Sequence, residues 1–444
     1  MNSPDPGEIL RAALLHTPRN PFYEANALES LSDGALLIVN GKIAACGNFS
    51  EIRRAYPRAR TTDLRGGFLL PGLIDAHVHF PQLRVLGGLG KELLGWLEEF
   101  ALPEEARMAD TAYACDTAHR FLHALASHGT TTALVFGAHF APATAALFEA
   151  AGTNGLRIIS GMVLSDRMLL PELHQTAEAA YRHSSELIQR FHGNGRLLYA
   201  VTPRFALSTS EAMLEVCDSL MKEHEGLRFQ THLNENRLEI ETVAKQFPWA
   251  KDYLSVYERY GLTGRGAVMA HNIHPHWSEL ERLAASGTAV AHCPCSNAAL
   301  GSGFFPMQRH IQAGVRLSLG TDVGGGTGFG ILKEGLQAYM LQRLMLEGAQ
   351  LNPAHLLFLA TRAGAEALTL ENEIGDFLPG KSADLVYLHP PKGSPLEAVI
   401  ERADTMQRIL AAIFTLADSA CVREVRVQGE TVYRSQPQHD HRHD

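Results

Sequence analysis

From about residue 70 onward, short runs of β-branched and other apolar residues alternate with longer stretches of helical periodicity. This alternation predicts parallel strands joined by crossover helices, since a strand covered on both faces reads as a continuous apolar run. The candidate strands lie near 73–77, 130–136, 157–164, 197–202, 228–232, 266–271, 289–292 and 316–320. Eight such units predict an α/β fold closed as a (β/α)8 TIM-type barrel. An open doubly wound sheet is the other arrangement of such units, but no GxGxxG follows the first run.

Both ends of the chain are β-rich. GALLIVNGKIAACG sets Asn40-Gly41 between two apolar runs, a strong hairpin signal, and SADLVYLH and REVRVQGETVY, turning at Gln428-Gly429, repeat the pattern near the C-terminus. Neither set can bury a core alone, so one small β domain assembled from both ends is expected, 1–70 with 379–435, around a barrel of 71–378. The tail 436–444 is polar and expected to be disordered, its His439, His441 and His443 offering at most adventitious metal binding.

Composition adds exclusions. Hydrophobic residues at 45% and charged residues at 20% describe an ordinary globular chain with a sizeable core. A formal charge of −9, with no basic run interleaved with aromatics, argues against polymeric nucleic acid as a partner. MNSPDPGEIL lacks the basic region and apolar core of a signal peptide and no apolar run approaches a membrane span, which predicts a cytoplasmic protein that engages no membrane. The six cysteines are scattered and expected to be free thiols. Cys293 and Cys295 form a CxC without a second pair, and PCSN lacks the second cysteine of the PCxxC used by cytidine-deaminase zinc sites.

A barrel presents its chemistry at the C-terminal ends of its strands, and those positions hold His77, His79, Thr202 to Phe205, His232, His271, His292 and Asp322. His77 and His79 lie on one face of an extended run, so both imidazoles can reach one ion. Two or three histidines with a carboxylate suit a catalytic zinc with one position open. Each residue also has a plainer reading: satisfied core histidines, and for Asp322 a cap or turn before Gly324-Gly325-Gly326. Glu235, three residues after His232, suits proton transfer beside a metal, or merely complements a helix dipole. His271 suits orienting a water, whereas His292 reads as structural. GTDVGGGTGFG lacks the Lys-Ser/Thr of a phosphate-binding loop and is expected to be a flexible loop at the site.

PGLIDAHVHFPQ, THLNENRLEI, AHNIH, AHCPCSN and SLGTDVGGG, in this order across nearly the whole chain, resemble the amidohydrolase superfamily and, within it, the guanine deaminases. The resemblance implies a distorted barrel carrying a β-sandwich built from both termini, with one zinc per subunit on His77, His79, His232 and Asp322. Binuclear relatives carry a lysine at the end of strand four, and LLYAVTPRFAL has none. It further implies Glu235, His271 and Asp322 as catalytic groups. Gln82, Arg204 and Phe205 are then purine contacts, while Trp96, in GWLEEFALPEE, is either a lid anchor or ordinary packing. Cys295 and Asn272 depart from the usual pattern, which touches fine specificity rather than the metal. The implied reaction is hydrolysis of guanine to xanthine and ammonia by a homodimer. Another amino-heterocycle (cytosine, 8-oxoguanine, an s-triazine, an adenosine derivative) is the alternative substrate, and a non-catalytic scaffold the more distant reading.

Overall fold

A computed structural model describes residues 6–436. Eight strands run parallel in one sheet, in chain order Leu73–His79, Thr130–Phe136, Arg157–Gly161, Leu197–Pro203, Arg228–Leu233, Ala267–His271, Ala289–His292 and Arg316–Leu319, with a short strand Val163–Leu164 paired to the fourth. Beyond the last strand the chain meets the first: Asp322 N–H donates to the His77 carbonyl at 2.8 Å, and His79 N–H to that of Val323 at 2.9 Å. These bonds close the sheet into a barrel. One parity of strand positions, including Ile74, Ala76, Leu134, Ile159, Ala200, Ala270 and Ala291, forms a core of its own with Leu368, Leu370 and Ile374. The small alanines suit a narrow interior. Gly364, in the helix Arg362–Ala367, allows this packing, because a Cβ there would stand 2.6 Å from Ile74 Cγ2. Most remaining strand side chains join the larger core beneath the outer helices.

The two ends combine as expected. Hydrogen bonds run continuously through seven strands, in the order Glu430–Arg434, Val422–Val427, Leu385–Leu388, Arg60–Pro71, Glu8–His16, Glu29–Val39 and Lys42–Asn48. Apolar alternation gives this mixed sheet two covered faces, Leu10, Leu14, Leu36 and Leu69 on one and Ile9, Ala35 and Leu37 on the other. Both two-residue turns are present: Asn40-Gly41 (φ 50° and 74°) joins Val39 to Lys42, and Gln428-Gly429 (φ 52° and 76°) joins Val427 to Glu430. Positive φ at both central residues matches the right-handed twist of the strands.

Between the C-terminal strands, PLEAVIER and MQRILAAIFTL fold as helices, Pro395–Arg402 and Met406–Leu416, where only β structure was expected. The second packs on Ile331–Leu344, where Gly335 makes room for the Phe414 ring. All six cysteines are free, and no helix among the described residues is long and apolar enough to cross a membrane. The tail from residue 437, with its three histidines, lies outside the described residues.

Candidate active site

At the C-terminal mouth of the barrel, one ligand atom from each of His77, His79, His232 and Asp322 lies within 4.8 Å of the others, and all four residues are buried. The end of the first strand brings His77 and His79, the fifth brings His232, and the turn after the eighth brings Asp322. His77 Nε2 and His79 Nε2 are 3.3 Å apart and stand 3.3 and 3.2 Å from Asp322 Oδ1. His232 Nδ1 lies 2.6 Å from the Arg204 carbonyl oxygen, which can only accept, so the proton sits on Nδ1 and the Nε2 lone pair is free for a metal. Burial lowers His77 to about 4 and, aided by the neighbouring histidines, holds His232 well below the usual range. Both are therefore neutral at pH 7, the form that binds metal. Burial alone would raise Asp322, but contacts from His77 and His79 outweigh it and keep the carboxyl well below the usual range. The donor set fits a divalent transition ion such as zinc. Cys293 also groups with His77 and His271, but burial holds its thiol far above the usual range, in the protonated, poorly ligating form.

Non-glycine residues at the strand ends are left-handed: Asn234 (φ 50°), His271 (φ 70°), Asn272 (φ 49°) and Asp322 (φ 47°). Such conformations concentrate where the surroundings over-determine the backbone. Here the supports are visible. Ser296 Oγ donates to Asp322 Oδ2 at 2.6 Å, and Asn297 Oδ1 faces His271 Nδ1 at 2.8 Å. Asn234 Nδ2 donates to Asn272 Oδ1 and to Glu279 Oε1, each at 3.1 Å.

Glu235 precedes the helix Arg237–Gln246 rather than sitting in its first turn. Glu239 fixes it by accepting the backbone N–H groups of Glu235 and Asn236, each at 3.0 Å. The Glu235 side chain turns inward, Oε2 at 3.5 Å from His271 Nε2 and Oε1 at 3.4 Å from Ser302 Oγ. Burial, then the Asp322 charge, raises its carboxyl well above the ordinary value, so it holds a proton. His271 Nε2 lies 3.8 Å from Asp322 Oδ2.

A cavity opens over this cluster, lined by His79, Gln82, Leu93, Trp96, Leu97, Arg204, Phe205, His232, Glu235, Leu300 and Asp322. Of the sequence-derived site residues, His77 and His271 are the two that do not line the cavity; His77 belongs to the four-residue cluster beneath it, and His271 Nε2 reaches the lining carboxyls of Glu235 and Asp322 at 3.5 and 3.8 Å. Trp96 is buried in the wall, its indole N–H without a hydrogen-bond partner among the described residues. The Phe205 ring lies 5.8 Å from that of His232. His292, read as structural, stacks on Phe305 at 4.2 Å and contributes nothing to the four-residue cluster.

The glycine loop differs from the flexible segment expected. Residues 321–326 are buried, and Gly326 N–H donates to the Asp322 carbonyl at 2.6 Å. A Cβ at Gly326 would lie 1.9 Å from the Thr321 oxygen, and one at Gly324 would lie 2.6 Å from that of Gln82. Gly324 and Gly326 thus permit close backbone approach.

Four supports escaped sequence reading: Glu105, Ser296, Asn297 and Asp75. Asp75 accepts from Thr321 N at 3.0 Å and Thr321 Oγ1 at 2.5 Å, which anchors the turn that carries Asp322. Its place within IDAHVH was the available signal.

A model of the amidohydrolase family matches residues 68–432, and one of a bacterial imidazolonepropionase-like composite domain matches 34–59. The sequence is 56% identical to the probable guanine deaminase of Deinococcus radiodurans, over 96% of this chain and 98% of that one. The solved E. coli guanine deaminase superposes with a TM-score of 0.93 at 38% identity, covering 97% of this chain and all of that one (100%). Guanine deaminase from C. acetobutylicum, solved with guanine bound in its active site, gives 0.88 at 26% identity over 96% of this chain and 100% of that one.

Proposed function

The chain belongs to the amidohydrolase family and, within it, to the guanine deaminases, and from that premise we propose that it hydrolyses guanine to xanthine and ammonia with one zinc ion per subunit. The observation that carries the reading is convergence: a cluster of four buried metal donors, Glu235 with its carboxyl raised well above the ordinary value, and Gln82 with Arg204 all meet at one cavity at the barrel mouth. His77, His79, His232 and Asp322 would hold the ion. When bound, zinc acidifies water and polarises the reacting carbon.

The chain's own groups supply the proton transfers. Asp322, oriented by Ser296, takes a proton from the attacking water while His271, fixed by Asn297, orients that water. As the C–O bond forms at carbon 2, Glu235 gives its proton to the adjacent ring nitrogen. Asp322 then passes its proton to the departing amino group, the C–N bond breaks and ammonia leaves. The remaining proton on the new oxygen returns to Glu235, which restores the resting state. Gln82 offers a donor and an acceptor to the ring edge, Arg204 donates to the 6-oxygen, and Phe205 offers an apolar face. Trp96 walls the cavity. The absence of a lysine in Leu197–Pro203 supports one ion rather than two.

Family membership also supports a cytoplasmic homodimer acting on the free base. Chromatography of the reaction tests the core of this reading: xanthine and ammonia in equal amounts, with one zinc per chain by elemental analysis, are expected. A different product, or turnover in the metal-free protein, would overturn it.

A further inference from the structure

Glu105, in the helix Leu102–Ala106, is 2% exposed, and both of its oxygens are engaged. Oε1 accepts from Gln82 Nε2 at 2.7 Å, and Oε2 from Arg204 Nη1 at 2.5 Å, with His139 Nδ1 at 3.3 Å from the same oxygen. Burial works against its charge, but the Arg204 cation and these hydrogen bonds bring the carboxyl down to about 2, so it is ionised throughout the working range. His139, lowered to about 4 by burial, is neutral there and faces Ser165 Oγ at 3.0 Å through Nε2.

An ionised carboxylate only accepts hydrogen bonds, so whatever faces it must present N–H. This constraint removes the ambiguity of the Gln82 amide, whose two ends are nearly identical in shape. At the far end Gly324 N–H, which only donates, meets Gln82 Oε1 at 3.0 Å. The amide is therefore locked from both sides, with one N–H and one lone pair still unused. Arg204 is held by the same carboxylate through Nη1, which anchors that end of the guanidinium and offsets its charge. The recognition wall is thus oriented and electrically neutral, suited to an uncharged heterocycle with an oxygen acceptor.

We propose that Glu105 is the positioning residue that orients Gln82 and Arg204 together and so sets the preference for a ring bearing a 6-oxygen. The inference rests on the proposed purine contacts of those two side chains.

The test uses full-length, zinc-loaded Glu105→Gln and Glu105→Asp. Inhibition constants are measured against guanine turnover for hypoxanthine, which keeps the 6-oxygen, and for purine, which lacks it. Wild type is expected to favour hypoxanthine. Glu105→Gln should shrink that preference tenfold or more and raise KM for guanine more than it lowers kcat, at wild-type zinc content. Glu105→Asp, which retains the charge but withdraws it by one methylene, should fall between. A merely structural role would lower the yield of folded enzyme and leave the preference intact. An undiminished preference in Glu105→Gln overturns the proposal, and should that variant not fold, the same result in Glu105→Asp does so. Wild type that leaves guanine untouched overturns both this inference and the functional reading beneath it.

Discussion

Replacing Glu235 by glutamine removes one proton and almost nothing else. The side chain is 99% enclosed and already neutral through burial and the Asp322 charge, so Glu235→Gln preserves shape and formal charge. It lies outside the four-residue donor cluster, so zinc content should stay at the wild-type level. What disappears is the proton for the ring nitrogen. General acid–base catalysis contributes on the order of 10²–10⁴-fold, about 3–5 kcal/mol of barrier, and kcat should fall by that factor. There is also a pH signature. An acid with a raised value keeps its proton up to that value, so wild-type kcat/KM should decline as pH climbs through it, and Glu235→Gln should lack that alkaline limb. Stopped-time ammonia assays from pH 5 to 10, beside elemental analysis, read both. A zinc-loaded variant within tenfold of wild type, or one that keeps the limb, would refute the assignment.

Arg204→Met should keep its zinc, because His232 is held by the backbone carbonyl of residue 204 and not by its side chain. It should still lose guanine affinity, and stranding the buried Glu105 charge should cost about 3–5 kcal/mol in urea unfolding. Glu334, raised to about 8 by burial, holds more protons folded than unfolded; its stabilising contribution is complete below about 4.5 and is lost as pH rises through about 8. Relative to wild type, Glu334→Gln should therefore unfold at higher urea at pH 9 than at pH 5, and a constant difference would refute this. Gly335→Val should destabilise by about 1–3 kcal/mol, since its Cβ would meet the buried Phe414 ring at 2.7 Å; unchanged unfolding would show that these helices yield more easily than argued.

The barrel was legible because its strands are buried on both faces and read as unbroken apolar runs. Thr130–Phe136 and Ala289–His292 match their expected spans, and the others differ at their ends. The run 157–164 is interrupted at Met162, whose N–H turns to Tyr199 Oη at 3.2 Å, a tertiary bond that no local pattern encodes. The helix Met406–Leu416 was not legible because its apolar spacing lies between two β-rich segments whose signals are stronger. At the site, residues at strand ends were readable since topology alone brings them together. Their supports were not: Glu105 reaches Arg204 across 99 positions and Ser296 reaches Asp322 across 26, so pairing depends on how helices fold back over the mouth. Glycines 324–326 misled for a related reason, because the sequence marks missing side chains without showing whether space or motion requires their absence.

The central claim is tested most directly by ammonia release from zinc-loaded protein offered guanine, cytosine, adenine, 8-oxoguanine and guanosine in parallel, with a chelator-treated control. Release from guanine far above the others, abolished by the chelator, is the predicted result. Silence on guanine with turnover of another base would contradict the roles given to Gln82 and Arg204, and silence on all five would contradict the enzyme itself.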